Sequence, residues 1–529
     1  RDIRVLTAAD TDALVAFYHS LPPETVHWFE PFVPADRSTL MAHLRQADAN
    51  EAISIGLVSN DGVIAGHAFV LALSSASPVF GCGLSVEARG TGFGRRMMCR
   101  VLDEADRRRL PRVTLTVFKE NTRARRLYES CGFVTTGEAG CRQPGDSLAM
   151  ERLTGGTAGG SASRALLQML NGYRPDKAVW TADLSYWIAG RQAAGTDDPA
   201  WRTERGYLEL HRTLGVMPYY YYERFWTARP VFDASVRVRE ETAGHVTARI
   251  WETPVGTLRE ESSYLPESAC HGVTRHPVET GADLDVLLYL LEHRRLEPDN
   301  LADYSQRRQL WSEYDGLPCL GLPRSPLSAL AYEWAGVQNM VFLLFDHEAR
   351  ARQVLDLMEA QEAPILEAVC ELAPPLVHFP DNLSSDNLAG LYDEYLAPTH
   401  RRRLQRLHAA GVKAAVHLDG TVRGLLPKLA AVGFDAVEAL TPQPVGDLTP
   451  AEMRKLANRP DLILWGGVPG ALFPAPTDWP RMNRHLDDLL AAWAGQPFVI
   501  GVADQVPPDG DIDFCRKIAE RVASETLTS

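Results

Sequence analysis

The 529-residue sequence holds only eight cysteines, and no two of them are spaced as Cys-x-x-Cys. That scarcity argues against a zinc ribbon or a disulfide framework and fits a reducing, cytoplasmic compartment. Long apolar runs are missing too: none approaches the roughly 20 residues needed to cross a bilayer, so no membrane partner is expected. The opening RDIRVLTAAD alternates like a strand and lacks the charged and apolar regions of a signal peptide. Basic residues are outnumbered, 54 Lys and Arg against 68 Asp and Glu, for a net charge of −14. The first 153 residues are balanced, so the whole acidic excess lies beyond them. No nucleic-acid partner is expected there. Small-molecule substrates remain as partners, with homodimerisation left open.

What is present divides the chain. The length exceeds one ordinary domain. TGGTAGGSAS, residues 154–163, buries almost nothing and reads as a flexible tether. It separates residues 1–153 from 164–529, and the fold class expected is α/β multidomain.

In the first part, EAISIGLVSNDGVIAGHAFVLAL reads as two strands joined at Asn60-Asp61-Gly62, a hairpin turn sequence. Arg89-Gly90-Thr91-Gly92-Phe93-Gly94-Arg95 then follows a strand and opens a helix. Its glycines let backbone N–H groups face an anion at the positive end of the helix dipole. A ribose-binding acid on a second parallel strand, which a Rossmann unit would require, is not where it should be. The next strand runs instead into Asn121, Tyr128 and Gly132-Phe133, with Gly132 as a helix cap. This combination resembles the GNAT N-acyltransferases. The resemblance implies a mixed α/β domain over 1–153 that takes acetyl-CoA or another acyl-CoA, with the pyrophosphate held at Arg89, Gly90, Thr91, Gly92, Phe93, Gly94 and Arg95. It implies backbone partners for the pantetheine arm at Leu84 and Val86, a contact from Asn121, and Tyr128 as general acid at the thiol. Glu24, His27 and Glu30 are candidates to line the acceptor pocket, with packing an equal reading for His27 and Trp28. The general base is not visible.

Beyond the tether, short apolar runs alternate with helical stretches. Eight candidate strands (KAVWTADL, VMPYYYYE, GLPCLGLP, LVHFPDNL, KAAVHLDG, DAVEALTP, LILWGGVPG, FVIGVADQ) predict a (β/α)8 TIM-type barrel, with residues 234–264 as an antiparallel insertion. The strand ends carry Asp183, Glu223, Asp381, His417, Asp419, Glu438 and Asp504, where barrels gather catalytic groups. His417, Asp419, Glu438 and Asp504 are read as one pocket able to hold a divalent metal or move protons, with His417, Asp419 and Glu438 catalytic. Helix capping is the competing role for the acids, above all for Asp381. Asp381, Arg174 and Arg191 are candidate substrate contacts.

GYRPDKAVW, TPVGTL, HLDG, GFDAVEAL, WGGVPG and GVADQVPP resemble the uroporphyrinogen decarboxylase superfamily, which includes zinc-dependent corrinoid methyltransferases. That branch carries a His-x-Cys pair and a later Cys; here Asp419 and Asp504 stand in those places. The reading is therefore a bifunctional biosynthetic enzyme, an acyl-CoA N-acyltransferase fused to a decarboxylase or lyase-like barrel. The alternatives are a corrinoid- or metal-dependent methyltransferase barrel and a barrel that only binds a ligand.

Overall fold

The computed structural model describes residues 2–523 except 109, 111, 132, 142, 154–160, 173, 174, 176, 267 and 268. It divides into two compact units, Arg1–Ser161 with His408–Val412, and Ala162–Leu407 with Lys413–Ser529.

The first unit is a seven-stranded sheet in the order β1-β2-β3-β4-β5-β7-β6. Its strands are β1 (Asp2–Val5), β2 (Ile53–Val58), β3 (Ile64–Leu71), β4 (Val79–Leu84), β5 (Arg112–Phe118), β6 (Val134–Ala139) and β7 (Ser147–Leu153). The expected hairpin joins β2 to β3, with Gly62 at φ +84° in the turn. Neighbours pair antiparallel except β4 and β5, which run parallel and meet at one register pair, Val79 with Thr114. Past that point the two strands separate, leaving a cleft beside the end of β4.

Helices cover both faces. These are α1 (Thr11–Ser20), α2 (Pro23–Trp28), α3 (Arg37–Asp48), α4 (Phe93–Arg107) and α5 (Thr122–Ser130). Met97, Met98, Val101 and Ala105 of α4 pack with Ile55, Leu57, Ala68 and Val70 of the sheet. On the other face Leu14, Phe17 and Tyr18 of α1 join Leu40 and Leu44 of α3. Asp36 caps α3 by accepting from the Thr39 N–H.

The second unit holds β8 (Trp180–Thr181), then a two-stranded sheet of β9 (Ala228–Phe232) and β14 (Arg294–Pro298). Between them lies the antiparallel insertion: β10 (Arg237–Ala243), β11 (Val246–Thr253), β12 (Gly256–Leu265) and β13 (Cys270–Arg275). The main sheet adds β15 (Leu320–Gly321), β16 (Leu376–Leu383), β17 (Lys413–Leu418), β18 (Ala436–Leu440), β19 (Ile463–Pro469) and β20 (Phe498–Ala503). It is curled and all parallel, in the order β15-β16-β17-β18-β19-β20-β8. Its strands are buried along nearly their whole length, as parallel strands flanked by helices are.

One expected strand differs. VMPYYYYE forms no regular strand: Pro218 has no N–H to donate, and Tyr222–Phe225 turns into a short helix. The segment still bonds on both sides. Met217 N–H donates to the Trp180 carbonyl at 2.9 Å, while Leu317 and Cys319 N–H donate to Pro218 and Tyr219 at 3.0 and 2.9 Å.

Candidate functional sites

In the first unit the glycine loop sits at the start of α4, just past the end of β4. Gly90 and Gly92 take φ +76° and +80°, a region that side chains rarely adopt. Gly92 is the N-cap of α4 and supplies no side-chain cap, so the N–H groups of the first turn face outward. A Cβ on Gly92 would meet nothing within 4 Å, whereas one on Gly94 would strike Leu84 at 2.9 Å. The first position is open for a ligand and the second is required by packing. Arg95 lies on the first turn of α4, and Arg96 lies over the Phe93 ring at 5.5 Å. The Thr91 hydroxyl donates to the Ala88 carbonyl at 2.6 Å.

Arg89 departs from the sequence reading. Its guanidinium donates to the Leu84 carbonyl at 3.2 Å and to the Thr25 hydroxyl, so it ties α2 to the end of β4. Leu84 ends β4 beside the cleft, and Val86 is 54% exposed. Asn121 caps α5 by accepting from the Ala124 N–H at 3.1 Å. Tyr128 lies on α5 with its ring against Phe80 and Phe133. Burial, reinforced by the nearby thiols of Cys82 and Cys131, raises its phenol above the ordinary value. It therefore carries its proton at any physiological pH. His27 stacks on Phe118 at 5.4 Å with Trp28 edge-on, while Glu24 and Glu30 are exposed.

In the second unit the centre is Glu438. His417 of β17 and Glu438 of β18 are register partners, and His417 Nδ1 lies 2.6 Å from Glu438 Oε2. His378 Nε2 lies 3.0 Å from the same oxygen, and the Tyr219 hydroxyl donates to Oε1 at 2.8 Å. Burial penalises the Glu438 carboxylate, yet His417 and His378 hold it far below its ordinary range. Burial likewise opposes charge on His417, but Glu438, Asp504 and Asp419 outweigh it and raise His417 to about 9. His417 is thus an imidazolium at neutral pH, with Nε2 3.8 Å from Asp504 Oδ1. Asp504 stands at φ +67° with its side chain half-exposed. Asp183, buried and bonded to the Ser185 N–H at 2.8 Å, is raised by burial to about 7.

The sequence-selected residues do not all meet there. His417 and Glu438 touch and Asp504 is adjacent, while Asp419 lies exposed beyond the end of β17. Asp381 is fully buried and accepts from Ser325 N–H, the Ser325 hydroxyl and His400 at 2.7, 2.8 and 2.8 Å. Those bonds use its charge internally, so it does not serve a substrate. Arg191 donates to the Pro508 carbonyl at 2.9 Å and lies over Trp187, which replaces the expected carboxylate contact. Glu223 is exposed on the short helix after the tyrosine run, and Arg174 and Gly132 fall outside the described residues. His378 was missed. Its signal was a lone histidine between Val377 and Phe379 in the apolar first half of β16.

Ligand atoms of His378, His417 and Glu438 lie within 4.8 Å of one another, a donor set of metal-site type. The same atoms already satisfy each other, so a metal would have to displace the proton that His417 shares with Glu438. Thiolate zinc chemistry does not fit: Asp419 and Asp504 carry no sulfur, and buried Cys319 points its Sγ at the Leu376 carbonyl.

Comparison with known proteins separates the two units. The acetyltransferase (GNAT) family model matches residues 16–133. A ribosomal-protein-S5-alanine acetyltransferase from Vibrio fischeri is 16% identical over 29% of this chain and 93% of its own, with a TM-score of 0.27. A spermidine N-acetyltransferase from Vibrio cholerae, solved with CoA and spermine, is 22% identical over 29% of this chain and 95% of its own, at 0.25. A PaiA N-acetyltransferase from Thermoplasma acidophilum, solved with coenzyme A, is 14% identical over 29% and 98%, at 0.25. No curated protein matches the chain. Among the described residues no helix is long and apolar enough to cross a membrane. Residues 16–133 are a GNAT acetyltransferase domain.

Proposed function

We propose that the chain is bifunctional: an acyl-CoA-dependent N-acyltransferase, residues 1–153, tethered through 154–163 to an acid–base catalytic domain acting on a small polar substrate. The observation that carries the first half is the uncapped α4 start at Gly92, beside a cleft between parallel strands that meet only once. Acyl-CoA, when bound, supplies an acyl group activated as a thioester. The N–H groups of the loop and first turn of α4 hold its pyrophosphate, aided by Arg95. The backbone N–H groups of Leu84 and Val86, past the point where β5 last pairs with β4, take the extended arm, with Asn121 at the start of α5. Tyr128 keeps a proton on its phenol for the departing thiolate. Calorimetry with CoA tests this half: the wild type binds and Gly92→Val does not.

For the second half we read Val216–Tyr219 as the eighth stave that closes the curled sheet into a barrel, supported by its bonds to Trp180, Leu317 and Cys319. The superfamily resemblance points to decarboxylase or lyase chemistry, in which a carbanion at a substrate carbon must be quenched by a proton. His417 is a held imidazolium that can supply it, oriented by Glu438, while Asp183 titrates near neutrality and can carry a proton back. No step runs through a metal. Incubating metabolite extract with the protein and with His417→Gln, followed by mass spectrometry, tests this half. A conversion that needs His417 supports it; identical product profiles overturn it. Metal retained by the purified wild type would favour the metal-dependent alternative.

A further inference from the structure

The sheet face beneath α2 carries a polar row that the acyl-transfer reading leaves unused. His67 of β3 stands directly across from Gly83 of β4, one residue before Leu84 and the cleft. Cross-strand partners share a face, so the same face of β4 shows Val79, Gly81 and Gly83. None of these can accept a proton. Phe29, which follows α2, lies over Gly83, where a Cβ would strike its ring. Across the β3 ladder, the titratable group facing β4 on this side is His67.

It belongs to a continuous chain. The Tyr18 hydroxyl is 2.8 Å from His67 Nδ1, and His67 Nε2 is 2.9 Å from Ser54 Oγ on β2. Ser54 Oγ is 3.1 Å from His43 Nε2 on α3. Tyr18, His67, Ser54 and His43 are 7, 0, 1 and 3% exposed. His43 also lines a cavity of about 1250 Å³ with Phe32, Thr39, Gln46 and Glu51. Its second ring nitrogen, Nδ1, is buried without a partner. A buried orphan nitrogen on a cavity-lining residue is a defect unless something arrives to meet it.

Building on the acetyltransferase reading, we propose that Tyr18, His67, Ser54 and His43 carry the proton shed by the acceptor amine from the cleft to this cavity. The balance closes. Before transfer Tyr18 O–H points at His67 Nδ1, His67 Nε2–H at Ser54, Ser54 O–H at His43 Nε2, and His43 Nδ1–H toward the cavity. The ammonium gives one proton to the Tyr18 oxygen; each member hands its own onward, and His43 Nδ1, buried in the cavity wall, releases one when water reaches it from the cavity. The amine lone pair then forms the C–N bond and the C–S bond breaks; the thiolate takes a proton from Tyr128, and the nitrogen gives its second proton to the Tyr128 phenolate, so the amide and the phenol both end neutral. Afterwards every hydrogen bond in the row points the other way, and no member has gained or lost charge. Burial keeps both histidines neutral: His43 is lowered to about 4 and His67 well below its usual value. They pass a proton without storing it.

The test follows release of free CoA by the full chain from acetyl-CoA with putrescine, tyramine, ethanolamine and an alanine-terminated peptide. In Ser54→Ala, kcat falls at least about tenfold, while KM for acetyl-CoA and CoA affinity are kept. His43→Ala shows the same loss, and imidazole in the buffer restores turnover because the hole opens on the cavity. A purely structural role predicts neither the split nor the rescue. Wild-type kcat in Ser54→Ala, or loss in His43→Ala that imidazole leaves untouched, overturns the relay. A wild type that releases no CoA with any of these amines overturns the acetyltransferase reading beneath it.

Discussion

From Arg89 to Gly94 the first unit presents backbone: two glycines at positive φ and a helix start with no side-chain cap. From His378 to Asp504 the second presents side chains, and these already satisfy one another around Glu438. An open site of the first kind takes its countercharge from the ligand. A closed site of the second kind makes its countercharge internally, so a substrate has to be moved into a field that exists without it. The two respond to perturbation differently. Losing one atom position should abolish binding in the first, while losing one charge should loosen the fold around the second.

The largest effect is expected at Gly92. Valine there must hold φ near +80° and puts two methyl groups where the anion would lie. CoA affinity should fall more than about a thousandfold by calorimetry, with far-ultraviolet circular dichroism unchanged. Unaltered affinity would show that the pyrophosphate lies elsewhere.

Next is the pH dependence set by Asp183, whose carboxyl is raised from its ordinary value to about 7 by burial. Below pH 4 both folded and unfolded chains hold this proton, and it contributes nothing. Between about 4 and 7 the unfolded chain ionises while the folded one does not, so stability falls as pH rises; above 7 the loss is complete. The loss amounts to at most about 4 kcal/mol at 1.4 per pH unit. Asp183→Asn removes that slope, so its stability relative to wild type should grow from pH 4.5 to 7.5 in urea titrations. Parallel curves would mean Asp183 is ionised in the fold.

How much of this was readable beforehand follows the same division. The glycine loop was legible because glycine at fixed spacing before a helix announces a backbone conformation, and conformation is local. The parallel strands of the second unit were legible as apolar runs, apart from Pro218. The Glu438 cluster was half legible. Sequence gives which acids end strands, but not which ones a neighbour has already claimed. The Asp381 oxygens are claimed by His400, nineteen residues on, and by Ser325, 56 residues before it. His378 gained a role through Glu438, 60 residues later. Only the register of β16, β17 and β18 brings those together.

Glu438→Gln addresses the closed site directly. The shape stays, but the two histidines and Tyr219 lose the carboxylate they share. Breaking a buried pair from one side costs about 3 kcal/mol, seen as a lower melting temperature of the second unit alone. The first unit should keep its CoA affinity. A chelator should leave the wild-type melt unchanged; a fall on chelation, restored by zinc or manganese, would replace the proton-sharing cluster with a metal site.

The smallest effect is expected at Tyr128. Phenylalanine retains the ring that packs on Phe80 and Phe133, so neither folding nor CoA binding should alter. What disappears is one hydroxyl, held protonated by burial beside Cys82 and Cys131. If that proton goes to the departing thiolate, kcat falls about a hundredfold while KM for acetyl-CoA holds, because the lost interaction exists only in the transition state. An acyl donor whose leaving thiol is more acidic needs less help, so the deficit should shrink with a thioester of low-pKa thiol. A ring serving only as packing would leave kcat unchanged for every donor. The open site would then rest on backbone alone, with water supplying the proton.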